Sequence, residues 1–253
     1  MKLETKEQIK EIILQCVNNT IVRISSNSTF RPFHEALLSK ELINAAAFER
    51  SFSTSFGQGP VEKISQLVAV DNGGTVIRQK ETMVNIYKGA ADQIDRIMSD
   101  LRSGIRKPNW QNEVKTISAV TKGDTDVRRV ISDLYIKKGD LETYISIKTV
   151  KPNLDQTEIA KKDMLFLKAH NPDCVTYFGL FYYPGGPNRA DYNWTMPSKL
   201  FNMHKDECVL IGEDYWDTLG GKGTYVDLIS VFKDAGNITR LLLEKISKDQ
   251  KVD

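Results

Sequence analysis

The sequence predicts an α/β fold in which helices flank a mixed central β-sheet. Helical periodicity dominates the N-terminal part, and β-like runs occupy residues 129–137, 141–150 and 174–183, with one helical stretch at about 156–169 between the last two. No internal repeat or linker divides the 253 residues. We therefore expect one domain over residues 1–253, with N-terminal helices at 4–103 packed on a core at 104–253.

Apolar residues recur at helical spacing in four stretches of the N-terminal part. These stretches are residues 4–18, 33–56, 61–70 and 84–103. Val76 and Ile77, after an Asn-Gly-Gly turn, predict a short strand, and Ile86 and Ile94 are expected on one face of the fourth helix. The C-terminal part predicts three further helices, at about 213–219, 222–234 and 237–248.

Composition excludes several classes of protein. The net charge is +2, so a nucleic-acid partner would need a local basic cleft rather than bulk charge. No apolar run approaches the ~20 residues of a membrane-spanning helix, and the charged N-terminus is unlike a signal peptide. Three scattered cysteines are too few for a disulfide framework. We expect a cytoplasmic protein with reduced thiols.

A β-hairpin is predicted within residues 132–153, which read SDLYIKKGDLETYISIKTVKPN. Gly139-Asp140 suits a two-residue turn with glycine first. That turn places Leu134 opposite Ile145 on an apolar face and Asp133 opposite Ser146 on the other face, while Lys148 lies diagonally within reach of Asp133. Val130 is expected on the Leu134 face and Tyr135 on the Asp133 face. A shift of one residue would destroy both faces together.

An aspartate beside a lysine on a buried strand suits phosphodiester hydrolysis. Carboxylates hold Mg²⁺, which prefers oxygen ligands. The ion activates water and neutralises charge on phosphate oxygens, while a lysine orients the water and stabilises the transition state. The alternative is a solvated Asp–Lys pair with no function.

These residues resemble the PD-(D/E)xK nuclease superfamily, whose signature is an Asp, a hairpin and then Glu-x-Lys. Asp133 matches the Asp, Lys148 the Lys and Ile147 the intervening x, whereas Ser146 replaces the usual acid. The resemblance implies a restriction-endonuclease-like core, catalytic roles for Asp133, Lys148 and Ser146, and the Ile147 carbonyl as a metal ligand. It also implies a displaced acid from an N-terminal helix, for which Glu49 in FERSFSTSFG is the candidate.

Four stretches further resemble a small TdeIII-like family of type II restriction endonucleases that cleave GGNCC. They are RPFHEALLS (31–39), FERSFSTSFG (48–57), the hairpin (132–153) and EDYWDTLGG (213–221). The resemblance implies an endonuclease that depends on Mg²⁺, cuts double-stranded DNA at a short palindromic site and belongs to a restriction-modification system. A two-fold symmetric target implies a homodimer.

The turn-rich segment 184–206 follows the sheet and is the candidate recognition element, a surface lid being the alternative. Its polar residues could read guanine or cytosine edges in the major groove. The candidate DNA-binding residues are Asn188, Arg189, Asp191, Asn193, Lys199 and His204.

Other functions remain open at the level of sequence. A different PD-(D/E)xK nuclease, acting in DNA repair, would cut without a palindromic site. A non-catalytic DNA-binding protein would explain the serine at position 146. Two His-x₃-Cys pairs, at 170–174 and 204–208, have a spacing unlike a zinc site because neither contains a Cys-x-x-Cys knuckle.

Overall fold

The computed structural model describes residues 1–26, 31–186 and 189–249. The chain divides into two compact units. One contains residues 1–67 and 223–253 and is helical, and the other contains residues 68–222 and holds the sheet. None of the described helices combines the length and the hydrophobicity needed to cross a membrane.

The helical unit contains α1 (Leu3–Ser26), α2 (Pro32–Leu37), α3 (Lys40–Gly57), the start of α4 (Pro60–Asp71) and α10 (Thr224–Asp249). The apolar stripe of α1 is buried, as its spacing predicts. Its N-terminal ammonium and Lys6 lie 2.8 and 2.7 Å from the Asp227 carboxylate on α10. On α3, Phe52 stacks on Phe56, which in turn meets Phe232 of α10 edge-on.

The helix predicted at 33–56 is two helices. Leu38 is extended, with φ −127° and ψ 151°, and so ends α2. Ser39 then caps α3, because its hydroxyl accepts a hydrogen bond from the backbone N–H of Leu42. The two helices predicted at 222–234 and 237–248 are one continuous helix, α10, so Gly236 does not end it.

The sheet has five strands in the order β1-β2-β3-β4-β5. They are β1 (Thr75–Tyr87), β2 (Thr125–Lys138), β3 (Leu141–Lys148), β4 (Val175–Leu180) and β5 (Val209–Ile211). Strands β1, β2 and β3 pair antiparallel, and β3, β4 and β5 pair parallel. The mixed sheet predicted from the sequence is therefore confirmed.

Helices α5 (Lys88–Ser103), α6 (Trp110–Ser118) and α7 (Leu154–His170) accompany the sheet, and α8 (Thr195–Ser198) and α9 (Glu213–Gly220) follow it. The main core of this unit joins Ile94 of α5, Trp110 of α6 and Met164 of α7 to Phe178 of β4. Gly179 of β4 carries no side chain because Tyr215 packs against it: a Cβ there would lie 2.6 Å from the ring.

Three sequence predictions for this unit are wrong. The strand expected at Val76–Ile77 is the 13-residue β1, and it includes Ile86, which was expected on a helix. Helix α6 and strand β5 were not predicted. Val130 and Tyr135 were expected on opposite faces of β2, yet both belong to the same core cluster. The alternation of faces along β2 therefore changes between these two residues.

The three cysteines are free thiols and are buried. Burial raises the pKa of the Cys16 thiol on α1 and raises that of Cys174 to about 11. Burial also raises the pKa of Cys208 well above its ordinary value. Because the thiolate is the reactive form, all three side chains are unreactive in the folded protein.

Candidate active site

The hairpin β2–β3 has the predicted register. Leu134 pairs with Ile145 and Lys138 with Leu141, which leaves a two-residue turn between the strands. Gly139 takes the first turn position with φ +60°, a conformation that side chains other than glycine rarely adopt. The register predicted from alternating side chains is thus confirmed.

Four donors converge on the carboxylate of Asp133. The backbone N–H of Ile147 donates to Oδ2 at 2.7 Å, and Lys148 Nζ and Ser146 Oγ donate to the same oxygen at 3.3 and 3.4 Å. The side-chain amide of Gln79 donates to Oδ1 at 3.3 Å. The strand ladder stops at Leu134, because the next donor on β3 binds this carboxylate rather than a backbone carbonyl. The fold thus fixes the acid predicted at the site.

Lys148 reaches Asp133 across the hairpin as the sequence predicts. The two side chains form an ion pair at 3.3 Å, and each is 21% exposed. On its other side β3 pairs with β4, where Leu180 stands opposite Lys148. The ammonium is therefore fixed at the end of a central strand, partly shielded from water but still open to a substrate.

A further carboxylate, Asp163 of α7, was not predicted for this site. Asn153 caps α7 at the end of the loop after β3, accepting a bond from Gln156 N–H at 2.8 Å. Burial raises the pKa of Asp163 to about 6, although the Lys148 and Lys162 ammonium groups oppose that rise. The Asp133 carboxylate raises this pKa further, so Asp163 lies within the electric field of the Asp133–Lys148 pair.

Asp163 has no hydrogen bond or ion pair among the described residues, although it is half-buried. A carboxylate removed from water without a partner is unfavourable unless a cation approaches it. The sequence contained one signal for this residue: the serine at position 146 leaves the signature one acid short, and α7 is the element that follows β3.

The donors at this site are oxygens, which suit Mg²⁺. Besides the two carboxylates, the carbonyl of Ile147 is available, since in a strand a residue's C=O lies on the same edge as its N–H, and that N–H faces Asp133. Within the described residues no group of three or more His, Cys, Asp or Glu side chains is arranged to hold a metal. That result gives the two His-x₃-Cys pairs no support as a zinc site.

Glu49 lies on α3 in the helical unit. It is exposed and accepts a hydrogen bond from Ser53 Oγ at 2.9 Å. Its part in metal binding stays a prediction.

The segment predicted to contact DNA contains both structural and exposed side chains. Arg189 donates from Nε to the Met203 carbonyl at 2.7 Å and from a terminal nitrogen to the Asp206 carbonyl. Asn193 accepts a bond from the Tyr183 hydroxyl. The Arg189 bonds fold the segment on itself, and the Asn193 bond ties it to Tyr183, so these polar atoms are already engaged.

Four further residues complete that set. Lys199 and His204 are exposed. Asp191 is half-buried and lies against Gly186, where a Cβ would fall 2.3 Å from its carboxylate. Asn188 lies outside the described residues. Contacts of this set with DNA stay predictions.

Several known proteins are similar in sequence to this chain. A family model described as "Type II restriction endonuclease, HinfI" matches residues 1–236. The type II restriction enzyme HgiCII of Herpetosiphon aurantiacus is 25% identical over 90% of this chain and 87% of its own length, and HgiEI of the same organism is 25% identical over 91% and 88%. MjaII of Methanocaldococcus jannaschii is 28% identical over 67% of this chain and 49% of its own length. No solved structure matches the chain.

Proposed function

Because this chain belongs to the HinfI family of type II restriction endonucleases and is therefore a site-specific deoxyribonuclease, we propose that it hydrolyses double-stranded DNA with Mg²⁺ at a short palindromic target. Enzymes of this kind generally need a divalent metal ion. GGNCC is the proposed target. The observation that carries the proposal is the convergence of three donors, Lys148 among them, on one oxygen of Asp133 across the hairpin.

We propose that Asp133, Asp163 and the Ile147 carbonyl hold the ion, in a variant of the PD-(D/E)xK arrangement. Asp163 would take the place of the acid that Ser146 lacks, and its unpartnered carboxylate supports this role. Glu49 is the alternative source of a second carboxylate. When bound, the ion would supply charge neutralisation at the phosphate and a more acidic water.

The protein's own side chains would do the rest. The Lys148 ammonium, held 3.3 Å from Asp133, would orient the attacking water and stabilise negative charge that develops on phosphate oxygens. Ser146 would line the site and keep the Asp133 carboxylate in place through its hydroxyl. Partial burial of both charged groups strengthens these interactions, because water screens them less than at an open surface.

Base recognition is proposed for the segment 184–206. Lys199 and His204, which are exposed, are the favoured members of the set, since both can donate to guanine acceptors in the major groove. Arg189, whose donors already bind carbonyls, would have to exchange those bonds to reach a base.

A homodimer is proposed because a palindrome presents two equivalent half-sites. Phe33 and Leu37 of α2 and Leu42 of α3 are each more than half exposed, and apolar surface of this kind suits a protein contact. We further propose that the enzyme acts in the cytoplasm, in a restriction-modification system whose methyltransferase protects the same sequence.

Digestion of a mapped DNA with and without Mg²⁺, followed by sequencing of the fragment ends, tests the proposal. We expect discrete fragments that share one short palindrome, only when the metal is present. Lys148→Ala should lower the cleavage rate by about 10²-fold or more while retaining DNA binding in a gel shift. Lys88→Ala, which removes an exposed lysine of the same unit, is the matched control. Nicking without sequence preference, or cleavage by Lys148→Ala at the normal rate, would contradict the proposal.

A further inference from the structure

Gln79 has an unusual backbone conformation in the middle of β1. Among the described residues it is the one non-glycine residue with positive φ, at +51°. This left-handed region is unfavourable for most side chains, and it is uncommon within a strand. A residue of this kind persists where its surroundings fix it, often beside a functional site.

The position of Gln79 in the sheet is opposite Asp133. Arg78 pairs with Leu134 and Lys80 with Ser132, so the residues between them face each other without joining the ladder. The change of faces along β2 falls in the same region, between Val130 and Tyr135. The unusual backbone conformation at Gln79 therefore lies directly opposite Asp133 in the sheet.

The amide of Gln79 completes the environment of that acid. Oδ2 of Asp133 receives three donors from β3, whereas Oδ1 receives Gln79 Nε2 at 3.3 Å and no other donor among the described residues. A carboxylate oxygen has two lone pairs, so Oδ1 retains one acceptor site when the amide is bound. Oδ2 is saturated, and Oδ1 is the oxygen left for a cation.

We propose that Gln79 is a positioning residue, whose left-handed backbone directs its amide to Asp133 and so fixes the oxygen that binds the divalent ion. This inference depends on the proposed metal-dependent function. The Gln79 amide nitrogen donates to Oδ1 of Asp133 and so restricts rotation of the carboxylate that would hold the ion. Partners that orient a metal ligand in this way typically change metal affinity or activity by about 10- to 100-fold when they are removed.

Two variants separate the amide from the backbone conformation. Gln79→Gly keeps the positive φ at low cost and deletes the amide, and Gln79→Asn tolerates positive φ but is one methylene too short. Met83→Ala, at a 61% exposed position of the same strand, is the matched control. Four quantities are measured for each protein. They are the Mg²⁺ affinity from calorimetric titration of the DNA-free protein, the melting temperature, the DNA affinity in EDTA and the cleavage rate.

We expect Gln79→Gly and Gln79→Asn to bind Mg²⁺ about tenfold more weakly than wild type. Both should melt at the wild-type temperature or above it and bind DNA in EDTA normally, and Met83→Ala should match wild type throughout. Wild-type Mg²⁺ affinity in both Gln79 variants would overturn the inference. A lower melting temperature with no other defect would also overturn it, because it would indicate a purely structural role. Failure of wild-type protein to bind Mg²⁺ would instead overturn the proposed function, so the two failures are distinguishable.

Discussion

Replacement of Asp163 by asparagine should stabilise the metal-free protein and destroy its activity. The pKa of about 6 compared with the ordinary 3.8 corresponds to a penalty of at most about 3 kcal/mol for the ionised form. Because the half-buried carboxyl keeps part of its surface in water, we reduce this to about 1 kcal/mol at pH 8. For a protein of this size, that gain raises the melting temperature by about 2–4 °C.

The gain should depend on pH in a defined direction. A raised pKa in an acid means that the ionised form destabilises the fold, fully above pH 6 and not at all below pH 3.8. The advantage of Asp163→Asn is therefore largest at pH 8, about half as large at pH 5, and absent once both states are protonated. Thermal unfolding in EDTA at several pH values measures it.

Magnesium should make wild type more stable than Asp163→Asn, the reverse of the order expected in EDTA. An ion that binds only the folded state raises its stability by mass action, so wild type should gain with Mg²⁺ and Asp163→Asn should not. Asp155→Asn, at a 74% exposed position of the same helix, is the matched control and should respond to Mg²⁺ as wild type does. A variant at position 163 that melts below wild type at pH 8, or cleaves DNA normally, would refute the reasoning.

Two further predictions concern buried residues of the unit that holds the sheet. Lys161 and Glu113 are a fully buried ion pair at 2.6 Å, so Lys161→Met alone should lower the free energy of unfolding by about 3–5 kcal/mol. Adding Glu113→Gln removes the unpaired charge and keeps an acceptor for the Asn109 backbone N–H, so it should recover part of that loss. Chemical denaturation measures the stability of both variants. If the double variant loses as much stability as Lys161→Met, an unpaired Glu113 charge is not the cause of the loss. Gly179→Ala should cost about 1–3 kcal/mol because its methyl group would overlap Tyr215. A wild-type midpoint would show that the ring moves aside freely.

The part of the site predictable from sequence is the part governed by local rules. Asp133, Ser146 and Lys148 were placed by a two-residue turn and by the alternation of side chains, and both depend on neighbouring residues. Asp163 was missed because its approach depends on the direction of α7 across the sheet, which no local pattern encodes. Gln79 was missed because glutamine carries no signal for positive φ.

The errors in the fold have related causes. Ile86 fits the helical periodicity of α5 as well as the strand periodicity of β1, and its pairing with Asp126 on a distant strand decides between them. Strand β5 has only three residues and depends on β4 as a template. At Gly236, helix α10 continues because an isolated glycine weakens a helix by only ~1 kcal/mol.

The three buried cysteines are distributed so that each compact unit contains a thiol that can report its own opening. Cys16 belongs to the helical unit, and Cys174 and Cys208 belong to the unit that holds the sheet. A thiol-modifying reagent added in excess can label each sulfur only when its surroundings open. Mass spectrometry of the labelled peptides would then give separate opening rates for the two units, with no engineered probe.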